Sequence, residues 1–383
     1  MSTTAPKGFR AAGVAAGLKS TGAPDVALVV NDGPDDAAAA VFTTNRFPAA
    51  PVQWSRQVLT GGRIRAVVLN SGGANACTGP EGFQDTHATA EHVAAELGIG
   101  AIDVAVASTG LIGVRLPMDR LTAGVTAAAK ALSEDGGPNA ARAIMTTDSV
   151  PKTTVQTRDG WTVGGMAKGA GMLAPSLATM LVVLTTDAVV PAEGLRPALK
   201  EATSVSFERV DSDGCLSTND TVIVMANGAS GITPTPEEFT EALTAAATDL
   251  AMQLLADAEG STKDIAITVR NAASVEDALT AGRACARNNL LKTALFGNDP
   301  NWGRVLAAIG TTDAAFETDR VDVSINGVMV CRGGAIGDPR EDVDLTGRAI
   351  AIDVDLKAGA EAATIWTNDL SIAYVHENSA YST

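Results

Sequence analysis

The chain is predicted to fold as a mixed α/β protein, and three observations carry that prediction. Short Val- and Ala-rich runs bounded by Asn, Gly and Pro recur along its 383 residues, as strands do. Longer alanine-rich stretches alternate with them and end in helix stop signals. The composition is 46% hydrophobic but only 4% aromatic, with 38 glycines. Such a core is built from Ala, Val, Leu and Ile and turns sharply.

In chain order, Asp25–Val30, Ala37–Thr43 and Arg63–Asn70 read as strands, and Asn70 to Asn75 follows as a loop. Glu81 to Leu97 is helical and stops at Gly98. Asp103 to Ala107 is a strand running into Ser108-Thr109-Gly110. Pro117 to Leu132 is helical, and Ser133 to Pro138 breaks it. Thr154–Val163 and Ala178–Thr186 are strands flanking a glycine loop. A helix spans Ala192 to Val205, and Thr221–Ala226 is a strand. At Thr235-Pro236-Glu237-Glu238 an N-cap, an N1 proline and a capping-box glutamate open a helix running to about Ala258. Ile265–Val269, Ala273–Ala286, Val321–Ile325 and Ile350–Leu356 continue the mixed pattern. Two lobes or one large layered fold both suit the length, and no repeat or linker divides the chain.

The formal charge of −16 argues against a nucleic-acid partner, because phosphate binding needs clustered Lys and Arg. Cys77, Cys215, Cys285 and Cys331 show no C-x-x-C spacing, so neither a zinc ribbon nor a dithiol motif is indicated. Met1 to Gly8 lacks an apolar signal core. The longest aliphatic run, Met180 to Leu184, is far short of the ~20 residues of a membrane helix. A reduced, soluble, cytoplasmic protein is expected.

Conventional catalytic signatures are missing. His87, His92 and His376 sit in neither a G-x-S-x-G elbow nor an H-E-x-x-H pair, and His87 and His92 read as surface or packing residues. Gly169 to Ala174 formally matches G-x-G-x-x-A. However, Pro175 falls where a phosphate-binding helix would start its second turn, and a strand-like run follows.

The same stretch, Lys168 to Leu181, carries another chemistry. A threonine hydroxyl is a poor nucleophile without a base beside it, and one solution is the threonine's own α-amine, freed by cleavage of the preceding peptide bond. Thr179 stands between a Gly/Pro loop and an apolar strand, where on residue type alone it reads as an ordinary strand residue. Ser108-Thr109-Gly110 ends a strand, where backbone N–H groups can converge on an oxyanion. Lys168 offers a cation for an amine or a carboxylate.

Read together, Phe42 to Asn45, Asn70 to Gly79, Ser108 to Gly113, Met145 to Asp148, the lysine–glycine loop, Ser217 to Thr221 and Gly297 to Arg304 resemble the ornithine acetyltransferases (glutamate N-acetyltransferases) of the cyclic arginine pathway, over essentially the whole length. The resemblance implies self-cleavage at Ala178–Thr179, giving an alpha chain 1–178 and a beta chain 179–383 that share one composite core. Thr179 is then the nucleophile and Thr109 with Gly110 the oxyanion hole. Thr146, Lys168, Thr179, Glu259, Asn378 and Thr383 match substrate-binding positions, with Thr147 an alternative to Thr146. The implied fold is a layered α/β/β/α sandwich of the self-cleaving ornithine acetyltransferase and β-aminopeptidase kind, with a smaller C-terminal α/β lobe.

The implied reaction is ping-pong acetyl transfer from N2-acetylornithine to glutamate through an acetyl-threonine, with no metal or bound cofactor. Acetyl-CoA as a further donor ranks below that exchange. A heterotetramer of two alpha and two beta chains is implied. The competing reading is an N-terminal-nucleophile aminopeptidase or amidase of the related fold. Gly73 and Ser261 depart from the family's usual asparagine and alanine, and the C-terminus has serine where a basic residue is common.

Overall fold

The computed structural model describes residues 2–174 and 180–380. Its first part runs β1 (Phe9–Val14), β2 (Val26–Asn31), β3 (Ala37–Phe42), α1 (Ala50–Val58), β4 (Ala66–Ser71), α2 (Gly79–Leu97), β5 (Val104–Thr109), α3 (Met118–Ala131) and α4 (Gly137–Ala143). It continues with β6 (Lys152–Thr157), β7 (Thr162–Lys168), β8 (Leu181–Thr186), α5 (Ala192–Ser204), β9 (Thr221–Ala226) and α6 (Pro236–Ala256). One sheet is ordered β1-β2-β4-β5 and a second β3-β9-β8-β7-β6.

Side-chain alternation explains why these sheets stack. Successive strand residues face opposite sides, and here both sides are apolar. Ala27, Val29, Val67 and Leu69 of the first sheet meet Met166, Leu181, Val183 and Ile223 of the second in one buried cluster. Their neighbours Val26, Leu28, Ala66 and Val68 point the other way, onto Ala90 and Val93 of α2 and Leu121 and Val125 of α3. On the far side, Val182, Leu184, Val222 and Val224 pack on Leu195 and Leu199 of α5 and Leu243 and Leu250 of α6. The layers are therefore helix, sheet, sheet, helix, as expected.

The C-terminal lobe holds β10 (Asp264–Ala272), α7 (Val275–Ala286), α8 (Asn289–Phe296), α9 (Trp302–Ile309), β11 (Asp322–Ile325), β12 (Val328–Arg332), β13 (Ala335–Ile336), β14 (Ala349–Asp355), β15 (Glu361–Asn368) and α10 (Ile372–Ala380). Its sheet, ordered β13-β12-β11-β14-β10-β15, is apolar on one face. Ile265, Ile267, Ile350 and Ile352 pack there against Ala281 and Cys285 of α7, Leu295 of α8 and Val305 of α9. No helix among the described residues is long and apolar enough to cross a membrane.

Local expectations fare unevenly. Thr235 caps α6 through the Glu238 N–H, and the capping box closes. The single strand expected over Thr154–Val163 is instead a hairpin of β6 and β7, closed where the Arg158 N–H donates to the Trp161 carbonyl at 2.8 Å. The Ser133–Pro138 break ends at Gly137, which opens α4 with a proline in its first turn. His87 lies 4.9 Å from the Trp54 ring and His92 bonds the Thr126 hydroxyl at 2.8 Å, both packing roles.

Candidate active site

The end of β5 is held by its own loop neighbours. The Gly72 and Gly73 N–H groups both donate to the Thr109 carbonyl at 3.0 Å. Gly110 follows at φ +129°, and a Cβ on it would lie 2.5 Å from the Gly73 nitrogen, so this turn requires glycine. Among the described residues the Gly110 N–H has no acceptor.

Asn219 locks the turn from the second sheet, donating to Ala74 O at 2.7 Å and Ser108 O at 2.8 Å. Ser108 in turn donates to Asn70 Oδ1 at 2.6 Å. Three separated sequence motifs thus form one hydrogen-bond network.

Lys168 is the last residue of β7, opposite Leu181 at the start of β8. It is only 2% exposed, and its Nζ lies 3.4 Å from Thr109 Oγ1. Burial lowers its pKa, opposed mainly by Asp148 and reinforced by Lys152.

Asp148 ties the site's walls together. Its carboxylate accepts the Thr146 N–H at 2.9 Å and the Gly169 N–H at 2.7 Å. Lys152 Nζ bridges Asp148 at 2.7 Å and Asp257, just beyond α6, at 2.6 Å. Burial works to raise the Asp148 carboxyl, but Lys168, then Lys152, and the Gly169 N–H outweigh it and bring it to about 2. Two residues past Asp257, the half-buried Glu259 donates its N–H to Ala170 O at 2.9 Å.

Helix α10 is seated on the turn after α6. Gly260 lies at φ +61°, and a Cβ there would stand 2.2 Å from the Tyr374 nitrogen. Ser371 Oγ donates to Gly260 O at 2.5 Å. This close approach carries Asn378 over the site.

The outcome is one polar cavity of about 200 Å³ lined by Thr109, Gly110, Thr146, Thr147, Lys168, Glu259 and Asn378. Six site positions expected from the sequence and the Thr147 alternative thus share one space. Ala178, Thr179 and Thr383, expected as cleavage site, nucleophile and C-terminal contact, lie outside the described residues. Ile112, Gly171 and Met172 also line the cavity and were not singled out. A larger cavity of about 430 Å³, lined by Arg46, Phe47, Cys77 and Phe83 among others, holds none of the expected residues.

Sequence reasoning gave no role to Asp148, Lys152, Asp257 or Asp220. Asp148 and Asp220 sit within the motifs already quoted. Outside a helix, the four-residue spacing of Asp148 and Lys152 carries no default meaning, and Asp257 is far away in sequence.

Comparison with known proteins gives the family. The model of the ArgJ family matches residues 10–383. The arginine biosynthesis bifunctional protein ArgJ of Streptomyces coelicolor is 65% identical over 382 residues, 100% of both chains. That of Thermobifida fusca is 63% identical over 383 residues, again 100% of both. Among solved structures, an ornithine acetyltransferase complexed with ornithine from Mycobacterium tuberculosis is 63% identical. It covers 47% of this chain and 96% of its own, at a TM-score of 0.45. The chain belongs to the ArgJ family, acetyltransferases of arginine biosynthesis.

Proposed function

We propose that the chain cuts itself at Ala178–Thr179 and then moves an acetyl group from N2-acetylornithine to glutamate. The observation that carries this is the convergence of Thr109, Gly110, Lys168, Glu259 and Asn378 on one cavity. Leu181, the third residue past the cut, pairs with Lys168 at its wall.

In the uncut chain the Thr179 hydroxyl attacks the Ala178 carbonyl carbon, the peptide C–N bond breaks, and the nitrogen takes a proton. Water hydrolyses the resulting ester. The freed α-amine, with a reference pKa of about 7.7–8.0, is partly neutral near pH 7 and accepts the hydroxyl proton during acetyl transfer. The acetyl C–N bond of acetylornithine breaks, ornithine leaves with a proton, and an acetyl-threonine ester remains. The amine of glutamate then takes the acetyl group and restores the hydroxyl.

The Gly110 N–H, unpaired among the described residues, and the Thr109 hydroxyl face the developing oxyanion. Lys168 holds the α-carboxylate common to donor and acceptor, and Glu259 meets the distal ammonium of ornithine. Thr146 or Thr147, Asn378 and Thr383 complete the substrate contacts.

Cores on both faces of the second sheet draw residues from either side of the cut, Met166 with Val183 and Val163 with Val182. Two chains would therefore stay together as one composite fold. The same reading gives a cytoplasmic enzyme of two alpha and two beta chains that also takes acetyl-CoA as a donor.

Intact-mass measurement tests the cut. Fragments 1–178 and 179–383 are expected, and a fully active protein that is still a single 38.8 kDa chain would overturn it. Acetylornithine with glutamate should yield acetylglutamate; free acetate alone would point to an amidase.

Two substitutions probe the walls. Thr109→Ala should lower kcat by about 10²–10³-fold, the cost of losing one oxyanion donor, with KM nearly unchanged. A change in KM alone would remove the oxyanion role. At Gly171, a Cβ would come within 2.6 Å of Glu259 Oε2. Because that contact is a flexible tip, Gly171→Ala should keep its Tm while the KM for acetylornithine rises roughly tenfold, about 1.4 kcal/mol. An unchanged KM would separate Glu259 from substrate binding.

A further inference from the structure

Resting on the self-cleavage reading above, we propose that Asp220 is a positioning residue for the reaction at Thr179, holding the amide that joins Thr179 to Met180. Asp220 is fully buried. Its Oδ1 accepts the Met180 N–H at 3.1 Å, and the Thr221 N–H donates to the Met180 carbonyl at 3.1 Å. The residue after the nucleophile is thus gripped on both sides by consecutive residues of one segment.

That segment is itself fixed. The Thr43 N–H donates to Asp220 O at 3.0 Å, and the Thr43 hydroxyl donates to Ser217 O at 2.6 Å. Asn219, next door, holds the Ala74 and Ser108 carbonyls beside the oxyanion turn. Asn219 and Asp220 therefore form a two-residue calliper, one arm on the oxyanion turn and the other on the residue that follows the nucleophile. Its rigidity sets the gap between attacking oxygen and oxyanion donors, the geometry on which an oriented attack depends.

A buried carboxyl is a costly way to hold the Met180 N–H. Its Oδ2 has no hydrogen-bond partner among the described residues, and buried polar atoms in that state are rare. Burial pushes its pKa well above the ordinary carboxyl value, against the Met180 N–H, the Ser217 hydroxyl and Lys168. Asn keeps the oxygen that accepts the Met180 N–H, and Leu removes it.

The test uses full-length chain purified uncut or freshly refolded, followed by intact mass over time. Asp220→Leu removes the unpaired oxygen along with the grip. It should fold with a Tm at or above the parent's, yet cut at least 100-fold more slowly. Asp220→Asn should cut within about tenfold of the parent. Rapid cutting by the Leu variant, or an Asn variant as slow as Leu, would overturn the proposal.

If the Leu variant fails to fold, Asp220→Ala takes its place: it too removes the oxygen that accepts the Met180 N–H, and cutting as fast as in the Asn variant would overturn the proposal. A Thr179→Ala control that is cut would instead sink the self-cleavage reading itself.

Discussion

Thr179→Ala is expected to leave a single uncut 38.8 kDa chain with acetyl transfer reduced on the order of 10⁴-fold or more, the scale seen when a nucleophile is removed from a catalytic unit. Two losses coincide, because the hydroxyl that cuts the chain later carries the acetyl group. Folding should survive. The strand pairs Val163↔Thr186 through Lys168↔Leu181, and Leu181↔Thr221 through Thr186↔Ala226, involve none of the Thr179 side chain. The Tm should therefore shift by no more than a few degrees. Thr179→Ser keeps the hydroxyl and should be cut and active at reduced rate. Intact mass and production of acetylglutamate read both variants, and an Ala variant that is cut normally would move the nucleophile elsewhere.

The layered core was legible because both faces of its strands are apolar and their ends carry turn residues. Thr221–Ala226 and the Thr235 capping box are local signals, and each emerged where expected. Other elements depend on partners far away in sequence. β1 reads Phe-Arg-Ala-Ala-Gly-Val, with one β-branched residue, and is a strand because it pairs with β2 along Phe9↔Asn31 to Val14↔Val26. α1 opens at Ala50-Pro51 without a side-chain cap, so a first-turn proline is its one local start signal. β15 is fixed by antiparallel pairing to β10 across roughly a hundred residues, Asp264↔Asn368 to Ala272↔Glu361.

The site divides in the same way. Thr109, Gly110 and Lys168 stand at loop and strand ends, within motifs whose order is distinctive. Lys152 looks in sequence like a solvated strand lysine. Only the fold, which drops it between Asp148 and Asp257 with no exposed side-chain surface, turns it into a structural counter-ion.

That buried cluster carries the second large expectation. Lys152→Met should destabilise the protein by about 3–5 kcal/mol, because removing one partner strands buried charge on the others. For a chain of this size that corresponds to a Tm lower by about 4–6 °C.

Asp148→Asn acts more selectively. One amide oxygen can still face Gly169 and Lys152, but the amide nitrogen then meets the Thr146 N–H, donor against donor. The Thr146–Thr147 wall must shift, and the KM should rise together with the stability loss.

The sign of the pH dependence follows from the depressed carboxyl. Its folded pKa of about 2 lies below the ordinary 3.8, so Asp148 contributes stability that is fully present above the ordinary value. That contribution fades as pH falls from there through about 2. At pH 7 it amounts to about 2 kcal/mol, in the same direction as the cost of Asn.

Denaturant unfolding of parent and variant should therefore show a stability gap that is constant from pH 7 to about 5 and narrows as pH falls below about 4. An Asn variant as stable as the parent at pH 7, or a gap that widens in acid, would mean that the Asp148 carboxylate does not hold the Thr146 and Gly169 segments. The substrate wall would then owe its shape to packing alone.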